Sequence, residues 1–195
     1  MMPIPSLVAK LALSISAEGG RLFAVGGWVR DNIAMRGSKD VDLEAHKISS
    51  EDLERVLLAH GRVDFVGKSF GVYKVTIGDQ TLDVSLPRRD SSPTSVQPDP
   101  FMGVSEAARR RDITINAIML DPISQEIVDP FNGVSDLKNG ILREVDASLF
   151  GDDPLRVLRV VRFASIFEFE ITESLATLCR GCDLSGIPVE RILTE

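Results

Sequence analysis

The 195-residue sequence holds only two cysteines, Cys179 and Cys182. So few thiols exclude a disulfide framework as the source of stability. The pair has CxxC spacing, but a structural zinc site needs a second ligand pair, and His46 and His60 lie far away in sequence. Two ordinary helix-end thiols in a reducing compartment are expected. Long hydrophobic runs are also missing: none approaches the ~18–20 residues of a membrane span, so no membrane partner is expected. The opening MMPIPSLVAK lacks the basic, apolar and cleavage segments of a signal peptide, and a cytoplasmic location follows as an expectation. Positive charge is not in excess either. Lys and Arg number 22 against 29 Asp and Glu, a net charge of −7, which excludes nucleic-acid binding by bulk electrostatics while leaving room for local basic patches.

What is present reads as a mixed α/β front half and a helical tail. Residues 5–18 carry apolar side chains at helical spacing, and Gly19-Gly20 end the pattern. Arg21 to Val25 is a short buried strand, Gly26-Gly27 a turn, and Trp28 to Met35 a short helix. Val41 to Ala45 forms a second strand, entered through Lys39-Asp40. A helix begins at Ser50 with acids in its first turn, as the macrodipole favours. Gly71 to Ile77 and Thr81 to Leu86 alternate as a hairpin around Gly78-Asp79. Residues 87–104, rich in Pro, Ser and Asp, read as a loop. A basic segment, a strand-like NAIMLDP and a turn at Asp129 to Asn132 follow. From Asp153 the pattern is helical, and a domain boundary falls near residues 146–152. The last helix reaches Glu195 without a cap, so the natural protein is expected to continue.

Three constellations carry chemistry. The first is Gly26-Gly27 with Arg30, followed by Asp40-Val41-Asp42. Residues two apart in a strand share a face, so the two carboxylates project together. Two adjacent acids repel unless a divalent cation sits between them, and magnesium is commonly shared between one or two carboxylates and substrate phosphates. The glycines let backbone N–H groups approach a triphosphate, and Arg30 adds a donor. The alternative is an ordinary acidic surface pair. A third acid, Asp83, lies in an apolar strand, where an isolated carboxylate is costly to bury. It either faces solvent or points at the same metals. The second constellation, Arg110-Arg111-Asp112 with Asn116, suits phosphate and ribose, or is a solvated basic face. The third, Asp152-Asp153-Pro154-Leu155-Arg156, opens a helix with Pro and an Asp cap. Asp153 and Arg156 are then neighbours, and a surface ion pair is the plain alternative.

The stretches LFAVGGWVRD, KDVDLE, RRRDITINAIML, DPFNGVSDLKNGILR, DDPLRVLRVVRF and PVERILTE occur in the order found in the class II tRNA nucleotidyltransferase (CCA-adding enzyme) and bacterial poly(A) polymerase family. The sequence resembles that family over roughly residues 20–195. The resemblance implies an α+β fold: a DNA polymerase β-like nucleotidyltransferase head, a mixed sheet with flanking helices, over residues 1–146. An incomplete, nucleobase-reading helical neck would occupy residues 147–195, with the family's body and tail absent. It further implies that Asp40 and Asp42 bind catalytic Mg²⁺, with Asp83 as a less tightly matched third acid. Gly26, Gly27, Arg30, Arg110, Arg111, Asp112, Asn116 and Arg159 would hold the nucleotide, and Asp153 and Arg156 would read its base.

The expected partners are CTP, ATP and a tRNA 3′ end, held weakly without body and tail. Base selection has a simple chemical logic. Cytosine and adenine each present an amine beside an unprotonated ring nitrogen, whereas guanine and uracil present a carbonyl beside an N–H. A fixed Asp acceptor beside an Arg donor matches the first two and leaves unpaired groups against the others. The segment Pro87 to Arg109 is shorter than the family's flexible loop, which opens CC addition alone as an alternative. Poly(A) synthesis shares most of the motifs. A nucleotide-binding module without catalysis, an impaired fragment and a small-molecule nucleotidyltransferase complete the alternatives.

Overall fold

A computed structural model describes residues 2–38, 40–67, 71–92 and 95–194. Lys39, Pro93, Thr94 and Glu195, which fall in segments singled out above, lie outside the described residues. The chain divides into two compact units, one running through Ala107 and including Met119–Val128, the other comprising Ala108–Ile118 and the chain from Asp129.

The first unit is built on a seven-stranded mixed sheet. Its strands are β1 (Arg21–Val25), β2 (Asp42–His46), β3 (Arg62–Gly67), β4 (Val72–Ile77), β5 (Gln80–Ser85), β8 (Met119–Leu120) and β9 (Ile127–Val128), in spatial order β3-β4-β5-β2-β1-β8-β9. Only β2 and β5 pair in parallel; the other neighbours are antiparallel. Register places Tyr73, Val84, Leu43 and Ala24 in one cross-strand row, with Val75 and Leu82, and Leu22 and Ala45, on the same side. All of these are buried. Helices α1 (Ser6–Ala17) and α3 (Ser50–His60) bring Val8, Leu11, Ala12 and Ile15, and Leu53, Val56 and Leu57, to this core. Each fully buried aliphatic side chain of this kind contributes about 1.5–3 kcal/mol. Ser49 starts α3 by accepting the Asp52 N–H at 3.1 Å.

A short helix α2 (Gly27–Ile33) follows β1 and ends two residues before the expected Met35. The segment expected as a loop is different. Arg88–Ser92 (β6) and Ser95–Pro98 (β7) pair as a separate two-stranded ribbon. Its base is closed by Arg89 on Asp99 at 2.8 Å and by the Asp99 N–H on the Pro87 carbonyl at 2.7 Å. Proline is tolerated there because the ribbon has free edges that need no ladder N–H. Helix α4 (Val104–Arg109) then carries the chain onward.

The second unit contains a 3₁₀ turn, Thr114–Asn116. Of NAIMLDP, read above as strand-like, Asn116 lies in that turn and Met119–Leu120, in the first unit, is extended. The other elements of the second unit are α5 (Gly133–Asn139), β10 (Ile141–Leu142), α6 (Ala147–Phe150), α7 (Leu155–Phe167), β11 (Glu170–Ile171), α8 (Glu173–Gly181) and α9 (Val189–Thr194). The tail is helical apart from β11, which pairs in parallel with β10. Helix α7 buries Leu155, Val157, Val160, Phe163 and Phe167. Among the described residues, no helix is long and apolar enough to cross a membrane.

Candidate active site

In the first unit, the face of the sheet opposite α1 and α3 carries the acids. Asp42 opens β2 and stands in register with Asp83 on β5 and Val25 on β1. Lys74 on β4 is Asp83's next neighbour, its Nζ 3.6 Å from Oδ1. The row therefore reads Lys74, Asp83, Asp42, with the two carboxylates adjacent and Asp83 half exposed. Asp83 touches solvent, as one alternative had it, and stands in register with Asp42. Asp40 is exposed, immediately upstream of the strand.

Gly26 follows Val25 with φ +67 and ψ −138, a conformation essentially reserved for glycine. A Cβ there would lie 3.7 Å from Asp42 Oδ2, so the turn runs close beside the carboxylate. A Cβ at Gly27 would meet Arg30 Nη2 at 3.4 Å. Arg30 is buried, and its Nε donates to Asp31 at 2.8 Å. Among the described residues, no three His, Cys, Asp or Glu gather as a ready-made metal cage. Magnesium needs less, since one or two carboxylates, waters and phosphate oxygens satisfy it, and the Asp42–Asp83 row could supply carboxylates of that kind. Cys179 and Cys182 are free thiols, and burial pushes the Cys179 thiol up, away from reactivity.

In the second unit, Asp112 is the hub. Its Oδ1 accepts from the Ile113 N–H at 2.8 Å and Asn116 Nδ2 at 3.1 Å, and its Oδ2 accepts from Arg159 Nε at 2.8 Å. Burial pushes this carboxyl up. The Arg159 charge and the hydrogen bonds from Asn116 and Ile113 outweigh that effect and hold it below its ordinary value. Asp112, Asn116 and Arg159 are thus brought together, with Arg110 and Arg111 directly preceding them in the chain.

The Arg156 N–H donates to the Asp153 carbonyl at 3.0 Å, while the two side chains bond to other groups. Asp153 accepts the Leu155 N–H at 3.1 Å and Arg191 Nη2 at 3.0 Å. Arg156 donates to the carbonyls of Leu149 at 2.6 Å and Arg110 at 2.8 Å. Among the described residues, the ion pair named above as the plain alternative does not join these side chains, because each has found other partners in the fold. Arg191 went unassigned in the sequence, although PVERILTE is one of the matching stretches. Buried Glu44 and His46, joined at 2.8 Å beneath Met102, also went unnoticed, since two polar residues in a strand carry no signal of burial.

Comparison with known proteins decides the ancestry of this arrangement. Residues 22–143 match the family model of the poly(A) polymerase head domain. The chain belongs to the class II CCA-adding enzyme and poly(A) polymerase family. Within it, the chain is 35% identical over 192 residues to a CCA-adding enzyme of Streptococcus sanguinis (strain SK36), covering 93% of this chain and 46% of that one. It is 34% identical to a CC-adding tRNA nucleotidyltransferase of Geobacter sulfurreducens, covering 99% of this chain and 43% of the relative. The crystal structure of the Bacillus stearothermophilus CCA-adding enzyme in complex with CTP superposes with a TM-score of 0.86 at 27% identity, over 100% of this chain and 48% of that one. The chain therefore spans less than half the length of these relatives, and the mixed sheet with flanking helices is the head fold of the family.

Proposed function

We propose that the chain is the nucleotide-adding portion of a template-independent tRNA 3′-end nucleotidyltransferase, which adds C and A from CTP and ATP and releases pyrophosphate. The in-register Asp42–Asp83 pair beside the Gly26 turn carries this reading, and the CCA-adding and CC-adding relatives support it. Residues 1–146 serve as the catalytic head and 147–195 as the base-reading neck, a division supported by the family match ending at residue 143.

Asp40 and Asp42, with Asp83 alongside, would hold Mg²⁺. When bound, the ion supplies charge neutralisation for the triphosphate and lowers the pKa of the attacking RNA hydroxyl. The chain's own residues bind and orient. The glycine turn brings backbone close beside the Asp42 carboxylate with no side chain between them, and Arg30 adds a donor. Arg110 and Arg111 take phosphate oxygens, while Asn116 and Asp112, steadied by Arg159, meet the ribose. Asp153 retains lone pairs beyond those given to Leu155 and Arg191, and Arg156 retains N–H donors beyond those given to the two carbonyls. Together they offer an acceptor and a donor to cytosine or adenine and leave guanine and uracil mismatched. No protein nucleophile takes part; positioning and electrostatics supply the rate.

A second reading, CC addition alone, is favoured by the compact β6–β7 ribbon and the CC-adding relative. One assay separates the two. The chain and its longer parent are incubated with tRNA lacking its 3′ end, Mg²⁺ and each labelled nucleotide singly and in pairs. C and then A incorporation supports the first reading and C alone the second. UTP or GTP used as readily as CTP would overturn the base-reading assignment.

A further inference from the structure

Asn116 and Asp112 hold one another, but the turn that carries Asn116 is fixed by residues with no role assigned so far. Thr114 opens that turn and is buried. Its hydroxyl donates to Asp136 Oδ2 at 2.7 Å, and its N–H donates to the Arg143 carbonyl at 2.9 Å. Asp136, itself buried, also accepts from Arg143 Nε at 3.1 Å. Gly133, at the head of the helix carrying Asp136, lies so close that a Cβ would fall 2.1 Å from the Thr114 carbonyl oxygen. Asp129 holds Gly133 there, accepting the Gly133 and Val134 N–H groups at 2.7 and 2.9 Å.

We infer that Thr114 and Asp136 are positioning residues for nucleotide binding: their hydrogen bond sets where Asn116 and Asp112 stand. The inference rests on the proposed function, in which Asn116 and Asp112 meet the ribose. A 3₁₀ turn this short has few internal hydrogen bonds of its own. The Asn116 N–H reaches Ile113 and the Ala117 N–H reaches Thr114, while the Val145 N–H holds the Asp112 carbonyl at 3.3 Å just before the turn, so the orientation of the turn itself comes from outside it, with Thr114 as its gripped end. A carboxylate–hydroxyl bond is charge-assisted and directional, and in a buried setting it fixes the backbone more tightly than packing alone. Thr114 also needs no contact with substrate to act, because Asn116 is two residues away in the same turn.

The test is a double-mutant cycle on Thr114 and Asn116, with CTP affinity measured by calorimetry on the chain. Thr114→Val removes the hydroxyl at nearly constant volume, Thr114→Ser retains it, and Asn116→Ala removes the group being positioned. Thr114→Val is expected to weaken CTP binding about tenfold, the scale of one hydrogen bond to a charged group. Thr114→Ser should restore it, and the double variant should bind no more weakly than Asn116→Ala alone, since coupled residues are not additive. Asp136→Asn, which keeps an acceptor but loses the charge, should fall between parent and Thr114→Val. Parent-like affinity in Thr114→Val, or additive losses in the cycle, overturns the inference while leaving the site reading intact. Parent-like affinity in Asn116→Ala overturns the site reading and the inference with it. Thermal melts separate unfolding from misplacement, because Thr114→Ser must rescue affinity whatever the melting temperature of Thr114→Val.

Discussion

Asp42 and Asp83 stand side by side across the sheet's single parallel pairing, with Lys74 closing the row on Asp83. Like charges directly opposed on neighbouring strands destabilise a sheet. A fold that keeps them adjacent carries a local cost that a cation bound there, as proposed, would remove.

Asp42→Asn should therefore abolish nucleotide addition without harming the fold. Loss of a preorganised charge at the reacting centre reduces the rate on the order of a thousandfold. Relief of the repulsion leaves the melting temperature unchanged or about 2 °C higher. Parallel turnover assays and thermal melts check this, and a fully active variant would remove Asp42 from the chemistry.

Gly133→Ala should be severe. The added methyl would meet the Thr114 carbonyl at 2.1 Å, and a backbone oxygen has little room to yield. Overpacking of this kind costs about 3 kcal/mol or more. Gly151→Ala, where nothing lies within 4 Å, is the control and should change stability little. Urea unfolding of the two variants gives the comparison directly.

Acid should loosen the second unit through Asp146. The Ser148 hydroxyl and the Arg109 guanidinium hold its carboxyl down at about 2, against an ordinary value of 3.8. A depressed folded pKa contributes stability above the unfolded value, and that contribution is lost as pH falls through the folded one. Unfolding free energy should thus decline between about pH 4 and pH 2, and Asp146→Asn should flatten that decline. The bond is exposed, so the effect is modest and shrinks in high salt. Equal slopes for parent and variant would exclude this carboxyl as the source.

Arg191→Ala should alter selectivity more than stability. Its pair with Asp153 is partly exposed, and such pairs contribute about 0–1 kcal/mol. Freed of Arg191, Asp153 would sample other positions and discriminate bases less sharply. Competition between CTP and UTP is the measurement, and an unchanged ratio would show that Asp153 is held without Arg191.

Much of the head was legible because its strands carry period-two patterning between glycine turns. The Gly78 turn, with φ +59 and Ile77 opposite Gln80, makes the β4–β5 hairpin expected from alternation alone. The β6–β7 ribbon was not legible, because its prolines and serines are loop residues unless both strands are edges. Helix α5 was missed because it is short and polar, and opens on a glycine whose value lies in close approach to Thr114. In the candidate site, spacing singled out Asp40 and Asp42, of which Asp42 opens β2 and Asp40 lies upstream of it. The bonds of Arg156 to Arg110 and of Asp153 to Arg191 were not legible, because those partners lie 46 and 38 residues away, and only the folded chain brings them near.

The interior position of β2 has a dynamic consequence. With β5 on one side and β1 on the other, its backbone is bonded along both edges, whereas β3 and β9 end the sheet. Backbone amides at such edges exchange with solvent through fraying, while those of a central strand exchange only when the whole unit opens. In heavy water, Leu43 and Ala45 should be among the last amides of this unit to take up deuterium. The Asp42 carboxylate at the head of β2 and Asp83 on the adjoining β5 would then stay aligned through every partial opening of the sheet, and be lost only when it melts as a whole.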